Sequence, residues 1–492
     1  MTPIIPVDAW AVAAFIGYLV LLVGIGVASA RFSSAGLSEF FIGGRRMHRA
    51  VVALSAVVSG RSAWLLLGVT GMAWAMGASA IWAVAGYTVA ELLLFLFYAP
   101  RLRRFTERRD AITLPDFFAA RFGDDDGRLR MLLSAIILIF MVGYVAAQFV
   151  GGGKAISASF GLTPTTGVLL TAIIVLAYTA LGGFVAVSIT DTVQGLLMLV
   201  GLVLLPLLTI IDRGGMGVVV NELVAMQPSL LDPAALAFGA FVGFVGIGLG
   251  SAGNPHILVR YMSIRDPRQF RFAALVGTTW NVVMGVGAVI VGLAGRVYFP
   301  DIAMLPGADT ENLYPVLAQQ HLPPVLFGVI VASIFAAIMS TADSQLLVAT
   351  SAVVRDVYEK VLHRDDALDP LRLVVLSRVV VVALVAFALF VGMVAQELVF
   401  WLVLFAWAGL GAAIGPTSIL ALFWRGATRS GVMAGMLTGT VTTIVWYFTP
   451  ALKGFVYELI PAFALGLIAT VVVSRATRPP AGVADMFADM EG

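Results

Sequence analysis

The sequence predicts an all-α, polytopic membrane protein, and its composition and long apolar segments support that prediction. Of its 492 residues, 60% are hydrophobic and only 12% are charged. Soluble proteins contain about 45–50% apolar and about 25% charged residues. So few charges cannot cover the three soluble domains that this length suggests at ~150 residues each. The apolar segments are long and unbroken, which excludes the ~10-residue alternating strands of a membrane β-barrel.

Thirteen segments are predicted to cross the bilayer, since each has the ~20 mainly apolar residues that a crossing requires. The first lacks the basic start and the clear cleavage site of a signal peptide, so we predict that it is a membrane helix. The predicted spans are 9–30, 50–74, 77–100, 128–156, 164–184, 189–212, 236–256, 271–297, 323–352, 371–394, 398–424, 430–448 and 453–474.

The distribution of basic residues predicts an N-terminus outside and a C-terminus inside, because cytoplasmic loops are enriched in lysine and arginine. In this orientation the inside loops hold 25 of the 30 basic residues. The other five are four residues at outside loops or span ends and one within a span: Lys154, Arg213, Arg296, Lys453 and Arg61. An odd number of spans agrees with termini on opposite sides.

No segment between the spans is long enough for a soluble domain. Residues 101–127 are predicted to form an amphipathic linker at the membrane surface, held by anionic lipid. The end of the chain is predicted to be disordered. The predicted organisation is an extra N-terminal helix with an inside loop (1–49), repeat 1 (50–212), an outside loop (213–235), repeat 2 (236–424), two C-terminal helices (425–477) and a cytoplasmic tail (478–492).

The sequence lacks the residues that several functional classes require. The absence of cysteine excludes disulfide scaffolds and thiolate chemistry. Four histidines far apart in sequence do not suggest a histidine-rich metal site. A net charge of +2 gives no electrostatic support for a nucleic-acid partner. ATP-binding and hydrolase motifs are missing in their required context, so we predict that the protein is not an enzyme.

Two predicted spans are interrupted at corresponding places. The second contains Ser59-Gly60-Arg61-Ser62 at its middle, and the seventh reads GFVGIGLGSAGNPH over residues 243–256. Glycine weakens a helix by about 1 kcal/mol relative to alanine, and proline by about 3 kcal/mol. Close glycine packing between helices is the alternative for either span alone. The two lie five spans apart, so spans 2–6 and 7–11 form oppositely oriented units, an arrangement typical of secondary transporters.

A few polar side chains at membrane depth refine this prediction. Ser340, Thr341, Asp343 and Ser344 lie within two turns of the ninth span, and their oxygens suit a hard cation such as Na⁺. For the hydroxyls alone, bonding back to the preceding turn is the alternative. Arg61 lies near the bilayer centre, where placing a charge costs considerable free energy. It is either a functional residue or a neutralised residue that holds two helices together.

Two acids within the predicted spans remain open to two interpretations each. Asp191 opens the sixth span, as a functional acid or as an ordinary acid at a helix N-terminus. Glu91 lies in the inner half of the third span, where it pairs with a basic group or is protonated.

Several strings, in order and spacing, resemble the sodium:solute symporter family, and most closely its proline-transporting members. They cover spans 1–11 and are specific when taken together. The strings are FFIGGR (40–45), LSA…SAWLLLG (54–68), TLPDFFAARF (113–122), GGFVAVSITDTVQ (182–194), NPHILVRYM (254–262), AAIMSTADSQLL (336–347) and WAGLGAAIGP (407–416). The resemblance implies a sodium-coupled transporter fold with thirteen helices and a five-plus-five inverted repeat.

The resemblance also implies a Na⁺ site between spans two and nine, and the two interrupted spans, two and seven, are expected to hold the solute between them. The expected Na⁺ ligands are the carbonyls of Val58, Arg61 and Ala337 and the hydroxyls of Ser340 and Thr341. Two acids are expected to couple cation and solute movement, namely Asp191 and Asp343. The expected solute-binding residues are Ser59, Gly60, Ser62, Trp64, Tyr144, Ile247, Ser251, Asn254 and Pro255.

The chain departs from the family pattern at two places. Gly60 stands where proline-transporting members have an aspartate important for sodium, and Arg61 replaces an apolar residue. Ile247 and Ser251 replace aromatic residues that line the proline pocket. The Arg61 guanidinium is expected to supply a fixed positive charge, to pair with Asp343, or to bind a substrate carboxylate bidentately.

We therefore predict a Na⁺-coupled symporter of a small organic solute, with L-proline as the expected solute. The alternative is a Na⁺-independent, proton-coupled or exchange carrier of an amino acid or monocarboxylate, with Arg61 as a surrogate cation. A solute sensor is a remote alternative. No cofactor other than Na⁺ and no obligate protein partner is predicted. The absence of a transit peptide makes a bacterial inner membrane the simplest location.

Overall fold

The structure, a computed structural model, describes residues 8–29, 36–364, 366, 368–394 and 398–491. The segments 1–7 and 30–35 of the predicted N-terminal unit lie outside the described residues. Helices make up 86% of the structure, and its described part contains no β-strand. The all-α membrane fold predicted from composition is therefore confirmed.

In the part of the chain that the structure describes, twenty-one α-helices follow one another, some extended by short 3₁₀ or π segments. They are α1 (Ala9–Ser29), α2 (Leu37–Ile42), α3 (Arg49–Ser59), α4 (Thr70–Met76), α5 (Ile81–Leu93), α6 (Ala99–Arg108), α7 (Leu114–Phe122), α8 (Arg128–Phe160), α9 (Pro164–Asp212), α10 (Met216–Met226), α11 (Phe238–Gly246), α12 (Pro255–Ser263), α13 (Phe270–Tyr298), α14 (Leu313–His321), α15 (Pro324–Ser351), α16 (Pro370–Val394), α17 (Val399–Phe423), α18 (Arg429–Tyr447), α19 (Pro450–Lys453), α20 (Leu459–Arg475) and α21 (Val483–Glu491).

All thirteen predicted spans overlap these helices. Within the described residues, eight segments are long and apolar enough to cross a membrane, and the bent pair Phe238–Gly253 and Pro255–Ser263 makes a ninth. The other four predicted spans fall on α3, the first part of α9, α18 and α20, which are too short or too little apolar for that criterion, and the second half of the second predicted span belongs to the passing segment Trp64–Arg108. A multi-pass membrane protein follows directly, whereas the count of thirteen and the side on which each terminus lies remain predictions.

The second predicted span is interrupted where the sequence predicts it. Helix α3 ends at Ser59, and Ser62 adopts a left-handed backbone with φ of 47° before a π segment, Trp64–Val69, leads into α4. The Ser62 hydroxyl accepts a hydrogen bond from the Trp64 amide at 3.1 Å. The Gln148 side chain of α8 accepts one from the Ala63 amide at 3.0 Å. These side chains satisfy amides that the interrupted helix leaves without backbone partners.

The seventh predicted span is also interrupted, and there the helix bends. Helix α11 continues as a 3₁₀ segment, Ile247–Gly253, and the direction changes by 52° before α12. Glycines allow this segment to touch neighbouring backbones. A Cβ at Gly248 would overlap the Gly86 carbonyl of α5, and one at Gly253 would overlap the Leu410 carbonyl of α17.

Replacing Gly248 by alanine is therefore expected to destabilise the fold. Overpacking costs about 1–3 kcal/mol, and here the added methyl group meets backbone atoms that cannot rotate away. We expect a lower apparent melting temperature in detergent and less monodisperse protein. Gly143→Ala in α8 is the matched control, because no atom lies within 4 Å of its added Cβ. Equal melting temperatures for the two variants would contradict this account of the packing.

Residues 101–127, predicted to form an amphipathic linker, form helices that contact the rest of the chain, and their attachment to lipid remains a prediction. Helix α6 continues the third predicted span without a loop, and α7 is largely buried against the protein. Asp116 of α7 pairs with Arg130 at 2.6 Å and with Arg355 at 3.4 Å. Burial raises the pKa of Asp116, but the two guanidinium groups outweigh that effect and hold the pKa below its ordinary value.

The prediction of a disordered tail is wrong, because Val483–Glu491 form α21. The Arg104 guanidinium of α6 donates to the carbonyls of Met490 and Glu491 at 3.2 and 3.3 Å. Arg109 pairs with Asp489 at 2.6 Å. Phe487 is 3% exposed and packs beside the Arg121 guanidinium. The basic face of α6 thus contacts a helix of the same chain, and this contact accounts for the ordered tail.

Replacing Phe487 by alanine is expected to release α21. Removing a buried phenyl group costs about 3–5 kcal/mol in a protein core, and a nine-residue helix has little stability of its own. Amide hydrogen exchange should rise at least about tenfold over residues 483–491. Asp485→Asn, at an exposed position of the same helix, should leave exchange unchanged. Unchanged protection in Phe487→Ala would show that this docking does not hold the helix.

Candidate functional site

Arg61, in the interruption between α3 and α4, is buried in a polar cluster. Its side chain is 1% exposed and pairs with Glu91 of α5 at 2.5 Å. Its Nε donates to Asn281 Oδ1 of α13 at 2.9 Å, and Asn281 Nδ2 donates to Glu91 Oε2 at 2.7 Å. The guanidinium carbon lies 3.8 Å from the centre of the Tyr87 ring. The expected pairing of Arg61 with Asp343 is therefore replaced by one with Glu91, which resolves the open interpretation of that acid.

A small cavity lies beside this cluster, between the two interrupted helices. Its volume is about 10 Å³, which is room for about one water molecule. A solute as large as an amino acid can enter only if the lining residues move apart. The cavity is lined by Gly60, Arg61, Trp64, Tyr144, Ile247, Val403, Leu404 and Trp407.

Sequence reasoning placed four of those lining residues at the solute site, namely Gly60, Trp64, Tyr144 and Ile247, and placed Arg61 at the cation site. It missed the α17 residues Val403, Leu404 and Trp407. The Trp407 indole donates to the Ile247 carbonyl at 2.8 Å, which ties α17 to the interrupted seventh span. The WAGLGAAIGP string, which begins at Trp407, was the available signal.

The remaining residues expected to bind solute contact the protein instead of the cavity. Ser59 donates to Asp191 at 3.1 Å, and Ser251 to Glu91 at 3.3 Å. Asn254 donates to the Gly250 carbonyl at 2.8 Å, Ser62 caps the Trp64 amide, and Pro255 opens α12. These side chains hold the interrupted helices in place.

At Gly60, where the chain departs from the family pattern, a neighbouring side chain occupies the space that a side chain at residue 60 would need. A Cβ at Gly60 would lie 3.1 Å from Cδ1 of Ile257 in α12. An aspartate side chain at residue 60 would therefore require Ile257 to shift. Glycine at residue 60 and isoleucine at residue 257 fit each other in this chain.

The expected Na⁺ ligands belong to buried residues at the contact between the α3 interruption and α15. The Thr341 hydroxyl donates to the Ser59 carbonyl at 2.9 Å, and the Ser340 hydroxyl to the Ala337 carbonyl at 3.1 Å. The Val58 carbonyl accepts one backbone hydrogen bond, from the Arg61 amide at 3.0 Å. A carbonyl or hydroxyl oxygen has a second lone pair, so these oxygens fit a hard cation.

Asp191 of α9 lies beside this contact, in the part of α9 that follows a left-handed backbone at Gly183. Its Oδ2 accepts from Ser55 at 2.5 Å and pairs with Arg260 of α12 at 3.0 Å. Its Oδ1 is buried and has no hydrogen-bond partner in the described part of the chain. A buried carboxylate oxygen without a donor is a further feature that suits a cation.

Arg260 is a site residue that sequence reasoning missed. Its guanidinium contacts Asp191, Ser55, the Ser344 hydroxyl and the His256 carbonyl, and it is 2% exposed. It thus joins α3, α9, α12 and α15. The NPHILVRYM string contains it, but the string does not indicate its partner. The other acid expected to couple transport, Asp343, accepts from the Ser344 hydroxyl at 3.0 Å.

A larger cavity of about 630 Å³ lies on the predicted outer side. Ile247 and Leu404 line both this larger cavity and the small cavity, so they form the wall between the two. At its edge, Glu311 pairs with Lys154 at 2.5 Å and accepts from the Phe400 amide of α17 at 2.8 Å. This larger cavity, called the vestibule below, therefore adjoins the small cavity.

Comparison with known proteins identifies relatives along almost the whole chain. The sequence model of the sodium:solute symporter family matches residues 40–439. The high-affinity proline transporter of Bacillus subtilis is 37% identical over 463 residues, covering 93% of this chain and 97% of that protein. The sodium/proline symporter of Staphylococcus aureus is 38% identical over 475 residues, covering 94% and 92%.

Solved structures show the same fold at low sequence identity. The substrate-bound, outward-open state of a Na⁺-coupled sialic acid symporter superposes with a TM-score of 0.81 at 20% identity, covering 96% of this chain and 99% of that one. A nucleobase-cation-symport-1 family transporter in a closed conformation gives a TM-score of 0.54 at 14% identity, covering 93% and 99%.

Proposed function

The chain belongs to the sodium:solute symporter family, and from that premise we propose that it couples the entry of Na⁺ to the uptake of L-proline. It is a transporter and not an enzyme. The observation that carries the proposal is the contact of Thr341 with the Ser59 carbonyl. That contact joins the expected cation ligands to the interruption that also lines the small cavity.

The proposed Na⁺ site uses the carbonyls of Val58, Arg61 and Ala337 and the hydroxyls of Ser340 and Thr341. A cation bound there would hold α15 against the α3 interruption and fix the residues that line the cavity. Binding of Na⁺ and of solute would then favour the same conformation, which is the thermodynamic requirement for coupling. Alternating access would follow from movement of one repeat against the other.

Proline is the proposed solute because two relatives with 37–38% identity are proline transporters by name. The cavity adds chemical support. Trp64, Tyr144 and Trp407 offer apolar faces to a five-membered ring, and aromatic faces also attract a solute ammonium group. Ile247 and Leu404 would separate to admit the solute from the vestibule.

The alternative carrier, with Arg61 as a surrogate cation, is less favoured by the geometry. Glu91 neutralises Arg61 within the same cluster. The pair therefore adds no net positive charge that would replace Na⁺. The relatives come from bacteria, and we propose the bacterial plasma membrane as the location of this multi-pass protein.

The substrate is tested by uptake of labelled L-proline into cells that lack their own proline carriers. Expression of this chain should restore saturable uptake, and excess unlabelled proline should compete while glycine and sialic acid should not. The Asp191→Asn variant, expressed at the same level, is the control for background uptake. Normal expression at the membrane without proline uptake would overturn the proposed substrate.

A further inference from the structure

The cluster around Arg61 contains four polar side chains contributed by four parts of the fold. Arg61 comes from the α3 interruption, Glu91 from α5, Ser251 from the 3₁₀ segment after α11, and Asn281 from α13. Each is at most 2% exposed. Asn281 bridges the ion pair, since its oxygen accepts from Arg61 and its nitrogen donates to Glu91. The guanidinium is therefore fixed in orientation.

A buried ion pair of this kind needs a functional reason. Replacing such a pair by well-packed apolar residues is often neutral or stabilising, because the desolvation of two charges is expensive. Charged side chains at membrane depth usually mark a pathway for ions or solutes. Here Arg61, one member of the pair, lines a cavity in which its charge can act on a bound solute.

The two edges of the guanidinium differ in the partners that they have. Nε and Nη2 are held by Asn281 and Glu91, whereas Nη1 has, among the described residues, only the Gly60 carbonyl as a partner, at 3.3 Å. Gly60 and Arg61 both line the cavity. Of the described residues in that lining, Arg61 is the one with a charged side chain. Its free N–H groups are therefore the strongest anion-binding donors available to a bound solute.

We infer that Arg61 anchors the carboxylate of the transported solute. Glu91 is the positioning residue that orients the Arg61 guanidinium and offsets part of its positive charge. Glu91 holds the guanidinium edge-on and offsets its charge, so that a carboxylate alone gains little. An amino acid gains more, since its ammonium group meets the aromatic faces and the negative charge behind Arg61. The site would therefore select a zwitterionic amino acid over a simple acid or amine. This inference deepens the proposed function and rests on it.

The test is calorimetric binding to the purified, full-length protein in nanodiscs with Na⁺ present. The three probes are L-proline, cyclopentanecarboxylate, which lacks the amine, and pyrrolidine, which lacks the carboxylate. Wild-type protein should bind proline at least about tenfold more tightly than either analogue. Glu91→Gln should bind cyclopentanecarboxylate about tenfold more tightly than wild type, because the offsetting charge is gone.

The double variant Arg61→Gln/Glu91→Gln removes both charges together and leaves no buried ion without a partner. It should keep its melting temperature but bind proline about 100-fold more weakly. Ser377→Ala is the control, because its buried hydroxyl bonds back to the Leu373 carbonyl of α16 and belongs to neither the cluster nor the cavity. Its proline affinity should stay within threefold of wild type.

The outcomes separate the anchor from the proposed substrate. Wild-type proline affinity in the folded double variant would overturn the inference and leave the pair as a tie between helices. Binding of a different carboxylate solute, weakened in the double variant, would overturn proline as substrate and support the anchor. Binding of a solute that has no carboxylate would overturn the anchor.

Discussion

Replacing Asp191 by asparagine should reduce Na⁺-driven proline uptake at least about 100-fold. The substitution leaves Arg260 without the carboxylate that it meets at 3.0 Å. Breaking a buried ion pair by removing one partner costs about 3–5 kcal/mol. It also removes the negative charge and replaces one of the two carboxylate oxygens by an amide nitrogen, which cannot bind a cation. The measurement is initial uptake at saturating Na⁺, normalised to the amount of protein in the membrane.

Two control variants distinguish coupling from general damage at Asp191. Ser55→Ala removes one hydrogen bond to the carboxylate and keeps the ion pair, so uptake should fall less than in Asp191→Asn, since a hydrogen bond to a charged group contributes about 1.5–3 kcal/mol and breaking the pair costs about 3–5 kcal/mol. Asp191→Asn/Arg260→Gln removes both charges and should restore stability without restoring Na⁺ dependence. Uptake by Asp191→Asn within twofold of wild type would show that the carboxylate has no part in coupling.

Replacing Thr341 by valine should raise the Na⁺ concentration for half-maximal uptake about tenfold or more, which corresponds to ~1.4 kcal/mol. Valine keeps the shape of the side chain but removes the hydroxyl that donates to the Ser59 carbonyl. The maximal rate at high Na⁺ should change much less, because the lining of the cavity is untouched. The measurement is uptake as a function of Na⁺ at fixed proline.

Ser351→Ala is the matched control on the same helix. Its hydroxyl bonds back to the Val348 carbonyl at 2.8 Å and has no contact with the α3 interruption among the described hydrogen bonds. Its Na⁺ dependence should match the wild type. A Thr341→Val variant with the wild-type Na⁺ dependence would exclude the hydroxyl as a ligand.

The sequence predicts the helical architecture and both interruptions because those features depend on local chemistry. Apolar segments of sufficient length predict spans, and the glycines of residues 243–256 predict an unwound helix without knowledge of any partner. The positions of Gly60, Trp64 and Tyr144 around the cavity followed from the resemblance. The residues of α17 in the same cavity were not predicted, because nothing in their local sequence indicates which helix they face.

The pairing of charges could not be predicted for the same reason. Arg61 and Glu91 lie thirty residues apart, and several acids at membrane depth were equally available as partners. Arg260 and Asp191 meet only because α9 breaks at Gly183 and α12 follows a bend. The basic residues of α6 suit an anionic lipid surface as well as the acidic end of α21, so charge alone could not distinguish them.

Uptake of labelled L-proline into proteoliposomes under defined gradients tests the central proposal of Na⁺-coupled proline symport most directly. An inward Na⁺ gradient is compared with an equal K⁺ gradient at fixed pH, each with and without a proton gradient. Proline accumulation above equilibrium only under the Na⁺ gradient is the predicted result. Accumulation that follows the proton gradient and is indifferent to Na⁺ would contradict it.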